Sequence, residues 1–277
     1  MLRWVDECVR EEKPVYYVLE QLEMDQLVGD AFTSAPNFKY YDKYVSDLVL
    51  HWVQKDWTLD QVMQFLGVQY LRQDALMEDP NFKYVDEFLT YKVGVWALQD
   101  FSIDHALNKL KLNWLSGAAF EEAWSYVYYD SFVTVQLRKW FKEGAHVDDV
   151  LERLVLDTLD GDELVRHPNY KFYKSFVGKK LKQWASSKND YDLDAVRDNL
   201  DLTGLEVDDL ETHRNFPFLE KYRNKRRRYM IGHWLKHEIP TLEIWERLEL
   251  HRAHELNRQQ DKVYVYSLYE NYIQELD

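Results

Sequence analysis

The stretch Pro36-Asn37-Phe38-Lys39-Tyr40 returns as Pro80-Asn81-Phe82-Lys83-Tyr84, 44 residues on, and as Pro168-Asn169-Tyr170-Lys171-Phe172 after two further steps of that length. Each copy runs on to a tryptophan, and Trp52, Trp96, Trp140 and Trp184 keep the same step of 44. A constant period of about 20 to 50 residues marks one supersecondary unit stacked on copies of itself. The intervening copy reads Trp124-Ser125-Tyr126, which keeps the aromatic and drops the Pro-Asn. Other columns follow the step: Tyr44, Phe88, Phe132 and Phe176; Leu22, Leu66, Leu110 and Leu154; Phe32, Leu76, Phe120 and Leu164.

Within one unit, Phe38, Tyr41, Val45, Leu48, Val49 and Trp52 are spaced to line one face of an α-helix. Phe82, Val85, Leu89, Val93 and Trp96 repeat that stripe, and the proline ahead of each is expected at the first helical position. Thr58 and Ser102 share a column of helix-capping residue types, which Asp192 and Thr241 continue. Thr58 to Gln61 reads as a capping box, and His146 departs from the pattern. Leu59, Val62 and Leu66 then form the buried stripe of a second, shorter helix. A third, short turn carries Asp74-Ala75-Leu76-Met77, echoed by Asp162-Glu163-Leu164-Val165. One such unit cannot cover its own apolar face, but a stack can.

The spacing therefore predicts an all-α, elongated tandem helical-repeat array. A partial repeat spans 1–24, five full repeats span 25–68, 69–112, 113–156, 157–202 and 203–250, and a partial repeat spans 251–277. The expected core comprises Trp52, Trp96, Trp140, Trp184 and Trp234, with Cys8 in the same column; Leu66, Leu110, Leu154 and Leu200; and Phe38, Phe82, Tyr126 and Tyr170. The register slips after Trp184. Two extra residues fall near Ser186 to Asp190, and four more lie between Tyr222 and Trp234.

Composition narrows the function classes. The 277 residues carry 35 Lys+Arg against 49 Asp+Glu, a net charge of −14, which disfavours broad nucleic-acid binding. With 46% hydrophobic residues the chain can bury a large core. Nine Gly and six Pro favour long helices over a loop-rich fold, and one Cys excludes an internal disulfide or a cysteine-based zinc cluster. No apolar run reaches the ~18 residues of a membrane span. Residues Met1 to Glu7 hold no signal-peptide core, so the chain reads as an intracellular protein or the mature part of a longer one.

No catalytic motif emerges, and no cofactor is expected. Glycine-rich phosphate loops and the Gly-x-Ser-x-Gly elbow are absent. His233 and His237 share a helix face but lack the glutamate of a zinc-protease motif; His251 and His254 form a weaker pair. Asp148-Asp149 and Asp208-Asp209 sit near helix starts, where the helix dipole favours negative charge. The run Lys221, Arg223, Lys225, Arg226, Arg227 and Arg228 has two readings: a solvated helix face, or a nuclear-import or partner-docking patch. Trp57 and Phe101 are either binding aromatics or packing between repeats.

The composite pattern is Trp, a spacer, Ser/Thr, Leu-x-x-Val-x-x-x-Leu-x-Leu, an acidic turn, Pro-Asn-aromatic, and an aromatic helix returning to Trp. Trp140, Val150 to Leu156 and His167-Pro168-Asn169-Tyr170 show it clearly. It resembles the tandem WY/LWY units of oomycete RXLR effectors, and the resemblance covers nearly the whole chain. The resemblance implies a secreted pathogen protein translocated into plant cells and acting in the host cytoplasm; the import reading of the basic run would add the nucleus. It further implies a non-enzymatic scaffold that binds a host protein, such as a phosphatase scaffold subunit or an immune receptor, and suppresses immunity. A general intracellular α-solenoid adaptor of HEAT or TPR type is the alternative.

Overall fold

Among the described residues, every third helix from Phe38 to Lys236 is long, with 17 to 21 residues, because the aromatic stripe fills four turns before the backbone reverses after the tryptophan. The computed structural model describes residues 1–186, 193–248, 250 and 259–277; it is 71% helical, with no strand among the described residues. In chain order the helices are α1 (Leu2–Arg10), α2 (Val15–Gln21), α3 (Gly29–Thr33), α4 (Phe38–Gln54), α5 (Leu59–Phe65), α6 (Gln73–Glu78), α7 (Phe82–Leu98), α8 (Ile103–Lys109), α9 (Gly117–Glu121), α10 (Tyr126–Glu143), α11 (Val147–Arg153), α12 (Gly161–Arg166), α13 (Tyr170–Ser186), α14 (Leu193–Asn199), α15 (Val207–Thr212), α16 (Phe216–Lys236), α17 (Thr241–Arg247) and α18 (Gln259–Leu276). The two short helices of each repeat have five to seven residues, too few to persist alone in water, so packing holds them.

The chain forms two compact bodies. Met1–Glu143 with Arg166–Asn169 makes the first, where α1, α4, α7 and α10 pack side by side in sequence order. Gly144–Val165 with Tyr170–Asp277 makes the second, where α13 packs on α16 and α16 on α18. Its last core cluster joins Ile231, Trp234, Ile244, Leu248, Leu250, Leu268 and Tyr272.

Three of the tryptophans also close the ends of their helices. Trp57 N–H donates back to the Trp52 carbonyl at 2.9 Å, Phe101 to Trp96 at 3.1 Å and Ile239 to Trp234 at 3.0 Å. This six-residue closure needs a left-handed residue in between. Asp56, Asp100 and Glu238 supply it at φ of +56°, +56° and +50°. The second helix closes likewise, with Val68 N–H to the Met63 carbonyl at 2.9 Å around Gly67, and Leu156 to Leu151 at 3.0 Å around Val155.

Several expectations are corrected in detail. Pro36 and Pro80 do not begin the long helices. Asn37 and Asn81 are the N-caps, and each proline is the second residue of a type I turn closed by Phe38 N–H to the Ala35 carbonyl and Phe82 N–H to the Asp79 carbonyl, both 2.9 Å. Proline's fixed φ suits that place, and the same turn survives at Ala123 to Tyr126 without it. Thr58 and Ser102 cap α5 and α8, and Thr58 with Gln61 forms the capping box. At α17 the N-cap is Pro240, with Thr241 the first helical residue. Phe38, Phe82, Tyr126 and Tyr170 open their helices only half-buried; the deep positions lie one turn in, at Tyr41, Val85, Tyr129 and Tyr173. Asp192, the insertion around residues 187–190, and His251 with His254 lie outside the described residues.

Candidate interaction surface

The repeating residues are spent on the interior. Trp52, Trp96, Trp140, Trp184, Trp234 and Cys8 are buried, as are Leu66, Leu110, Leu154 and Leu200. Trp57 stacks on Trp52 with ring centres 5.4 Å apart, and both rings meet Phe65 edge-on. Phe101 lies 4.1 Å from the His105 ring, so this column packs between elements of its own repeat. Phe38 and Tyr126 lean edge-on against Phe32 and Phe120 of the preceding short helix, at 5.6 and 5.3 Å. Burial pushes the Cys8 thiol above its ordinary range, away from nucleophilic use.

A polar column ties these apolar layers together. The repeated asparagine donates to the carbonyl that ends the second helix of the preceding repeat: Asn37 to Leu22 at 3.0 Å, Asn81 to Leu66 at 3.3 Å and Asn215 to Leu200 at 2.9 Å. That carbonyl is one of the groups a helix end leaves without a partner. Its side-chain oxygen accepts the tyrosine hydroxyl from the preceding long helix. In the first body these bonds are Tyr41 to Asn81 at 2.7 Å and Tyr129 to Asn169 at 2.5 Å. In the second it is Tyr173 to Asn215 at 2.7 Å. Burial drives all three tyrosine hydroxyls well above the ordinary phenol range, so they stay protonated as donors. Where the tyrosine is missing, at Val85, the next asparagine is also missing. Ser125 stands there and keeps only the carbonyl bond, to Leu110 at 2.9 Å.

A second buried polar column lies one turn before the tryptophans at Lys92, Gln136 and Lys180, with Leu48 in the equivalent place of α4; in α16, with its extra turn, Arg226 is buried two turns before Trp234. Lys92 pairs with Asp56 across the α4–α7 junction, and this ammonium holds the Asp56 carboxyl below its usual value. Gln136 leaves its Oε1 buried with no donor. A polar residue inside an amphipathic stripe reads as a break in the pattern, so periodicity alone does not reveal this column. The paired departure at Val85 and Ser125 was the visible signal for the first one.

The basic run does not form one face. The four residues inserted between Tyr222 and Trp234 add about one turn, which returns Trp234 to the buried side. Arg226 is buried within this turn. Arg223 is largely covered, pairs with Glu220 at 2.7 Å and lies 6.0 Å from the Tyr264 ring centre. Arg227 donates to Asn224 at 2.6 Å. Lys221 and Arg228 are exposed and Lys225 is half-exposed. His233 and His237 rings lie 4.4 Å apart, and no cluster of three metal-binding side chains occurs among the described residues. No helix among them is long and apolar enough to cross a membrane.

What differs between repeats is the outer face of the long helices. Across α4, α7 and α10 the equivalent positions read Asp47, Tyr91 and Val135; Leu50, Gly94 and Arg138; Gln54, Leu98 and Lys142. The backbone presents one geometry and each repeat fills it with different chemistry. Compared with protein-family models, with curated proteins and with solved structures, the chain matches none.

Proposed function

We propose that this chain is a secreted effector of the oomycete tandem-repeat kind that acts inside plant cells as a protein-binding scaffold and dampens host immunity. One observation supports binding over catalysis: the repeated side chains go to junctions, while the outer positions of successive long helices change chemistry from repeat to repeat. An array of this sort offers an extended surface to a macromolecule. The resemblance of the repeat to WY/LWY units supports the effector assignment, and it makes a phosphatase scaffold subunit the first partner to examine. The host cytoplasm is the expected site of action. Recognition of residues 221–228 as a linear basic peptide would need Arg223 and Arg226 free in solvent, and α16 holds both against the fold.

The test is expression in plant tissue followed by affinity capture and mass spectrometry, with an immune-response readout in the same tissue. Reproducible capture of one host protein, together with a weakened immune response, is the expected result. A chain that captures no host protein and leaves the response unchanged would end this reading.

A further inference from the structure

Gly94 is the least explained residue of the first body. It sits in the middle of α7, where glycine costs about 1 kcal/mol relative to alanine. A Cβ built there would meet nothing within 4 Å, so no internal contact calls for its absence. Glycine instead leaves a stretch of bare helix backbone at the surface. Tyr91 (43% exposed) and Leu98 (85% exposed) flank it along α7, seven residues and two turns apart. On α10, which packs against α7, Val135 (40% exposed) occupies the position equivalent to Tyr91. On α10, Arg138 and Lys142 occupy the positions equivalent to Gly94 and Leu98, both exposed and one turn apart. Neither makes an ion pair among the described residues, whereas Lys139 is tied to Asp100. In a chain of net charge −14, a surface apolar along one helix and cationic along the next is selective for its complement.

We propose that the outer α7–α10 face is a docking groove for an acidic amphipathic helix of a protein partner. The partner helix lies along α7, with its backbone close over Gly94 and its apolar side on Tyr91, Leu98 and Val135. Its carboxylates face Arg138 and Lys142. Apolar anchors two turns apart match the i, i+7 spacing of a helix laid in a groove. A small residue beneath the crossing point lets two helix backbones approach closely. This assignment rests on the scaffold reading and gives it a surface and a partner chemistry.

The probe is a labelled synthetic helical peptide with leucines on one stripe and glutamates beside it. A second peptide carries lysine in place of each glutamate, and vesicles containing phosphatidylserine form a third arm. Full-length chain is compared with Gly94→Leu, with the Arg138→Glu/Lys142→Glu double variant, and with Tyr70→Ser as a distant surface control. Gly94→Leu improves helix propensity at an exposed position where an added Cβ meets nothing within 4 Å, so its thermal midpoint should equal or exceed that of the parent. It should nonetheless weaken the acidic peptide about tenfold or more, as should the charge reversal, and the reversal should shift preference to the lysine peptide. Tyr70→Ser should leave binding unchanged. Absence of saturable binding to the acidic peptide would overturn the proposal. So would equal binding by both groove variants, or vesicle binding that the same variants abolish. If host-protein capture persists in both groove variants, the scaffold reading stands and the groove assignment falls; if capture and peptide binding are both absent, both fall.

Discussion

Two junctions of the first body use the same backbone plan with different polar chemistry. Between α4 and α7, Tyr41 donates to Asn81, Tyr84 donates to Asp42 at 3.0 Å, and the buried ammonium of Lys92 reaches Asp56. Between α7 and α10, Tyr128 donates to Asp86 at 2.6 Å and Lys139 reaches Asp100 near the surface. Val85 has no hydroxyl to offer, Ser125 serves only Leu110, and Gln136 takes the lysine position without a donor for its oxygen. Aromatic and aliphatic burial is much the same on both sides. The lesson is that shape fixes where the helices sit, whereas the polar links are an optional second layer that can be lost in matched pairs. A tyrosine lost alone would strand the asparagine oxygen, and an asparagine lost alone would strand both the hydroxyl and a helix-end carbonyl.

The largest effect should come from Asn81→Ala. It leaves the Tyr41 hydroxyl and the Leu66 carbonyl buried without partners, for a loss of about 3 kcal/mol by denaturant titration. Ser125→Ala removes one partner only and should cost about half as much. Equal losses at the two sites would break the comparison. Tyr41→Phe should cost about 1 kcal/mol, since only the Asn81 oxygen is stranded. The α7–α10 junction can be converted toward its neighbour with Val85→Tyr and Ser125→Asn. Each change alone should destabilise, and the pair should recover about 1 kcal/mol beyond additivity in a double-mutant cycle. A coupling of zero would mean that the matched departure is coincidence. Gln136→Leu should raise stability by about 1 kcal/mol, because it removes a buried acceptor with no donor and the equivalent Leu48 shows that leucine fits this column.

How much of this was legible before folding depends on the kind of residue. Trp52, Trp96 and their column announce themselves because few side chains fill that volume and the step between them is constant. The long helix and the Thr58 cap follow from period and residue type alone. Asn81 was visible as a repeated residue, but its bonds reach Leu66, 15 residues back, and Tyr41, 40 residues back. Those distances mean nothing until the helices are laid side by side. Lys92 was hidden for a different reason: a lysine within an apolar stripe looks like an error in the stripe until Asp56 is seen opposite it. The basic run misled through composition. Consecutive cations read as one patch, whereas helical geometry turns each by about 100° and sends Arg226 inward. Gly94 and its flanking residues left no periodic trace, because the outer face is where the repeats diverge.

The smallest effect tests the Lys92–Asp56 link by pH. Lys92 has a side chain only 4% exposed, while that of Asp56 is 85% exposed, so the pair joins a buried charge to a solvated one and water screens much of its value. The hydrogen bond from Lys92 lowers the Asp56 carboxyl below its ordinary value of 3.8. Unfolding therefore raises its affinity for protons. The stabilisation is fully present above that value and drains as pH falls through the folded one. Asparagine tolerates the left-handed backbone at this position (φ +56°), so Asp56→Asn removes the charge without straining the helix end. At pH 7 the variant should melt slightly below the parent, and the gap should close as pH falls below about 4. Lys92→Leu should keep stability within about 1 kcal/mol of the parent or above it, since apolar replacement of a buried ion is often neutral or favourable. In that background Asp56→Asn should have no pH-dependent effect. A gap that persists unchanged at pH 3 would mean that Asp56 acts through the turn backbone and not through its charge.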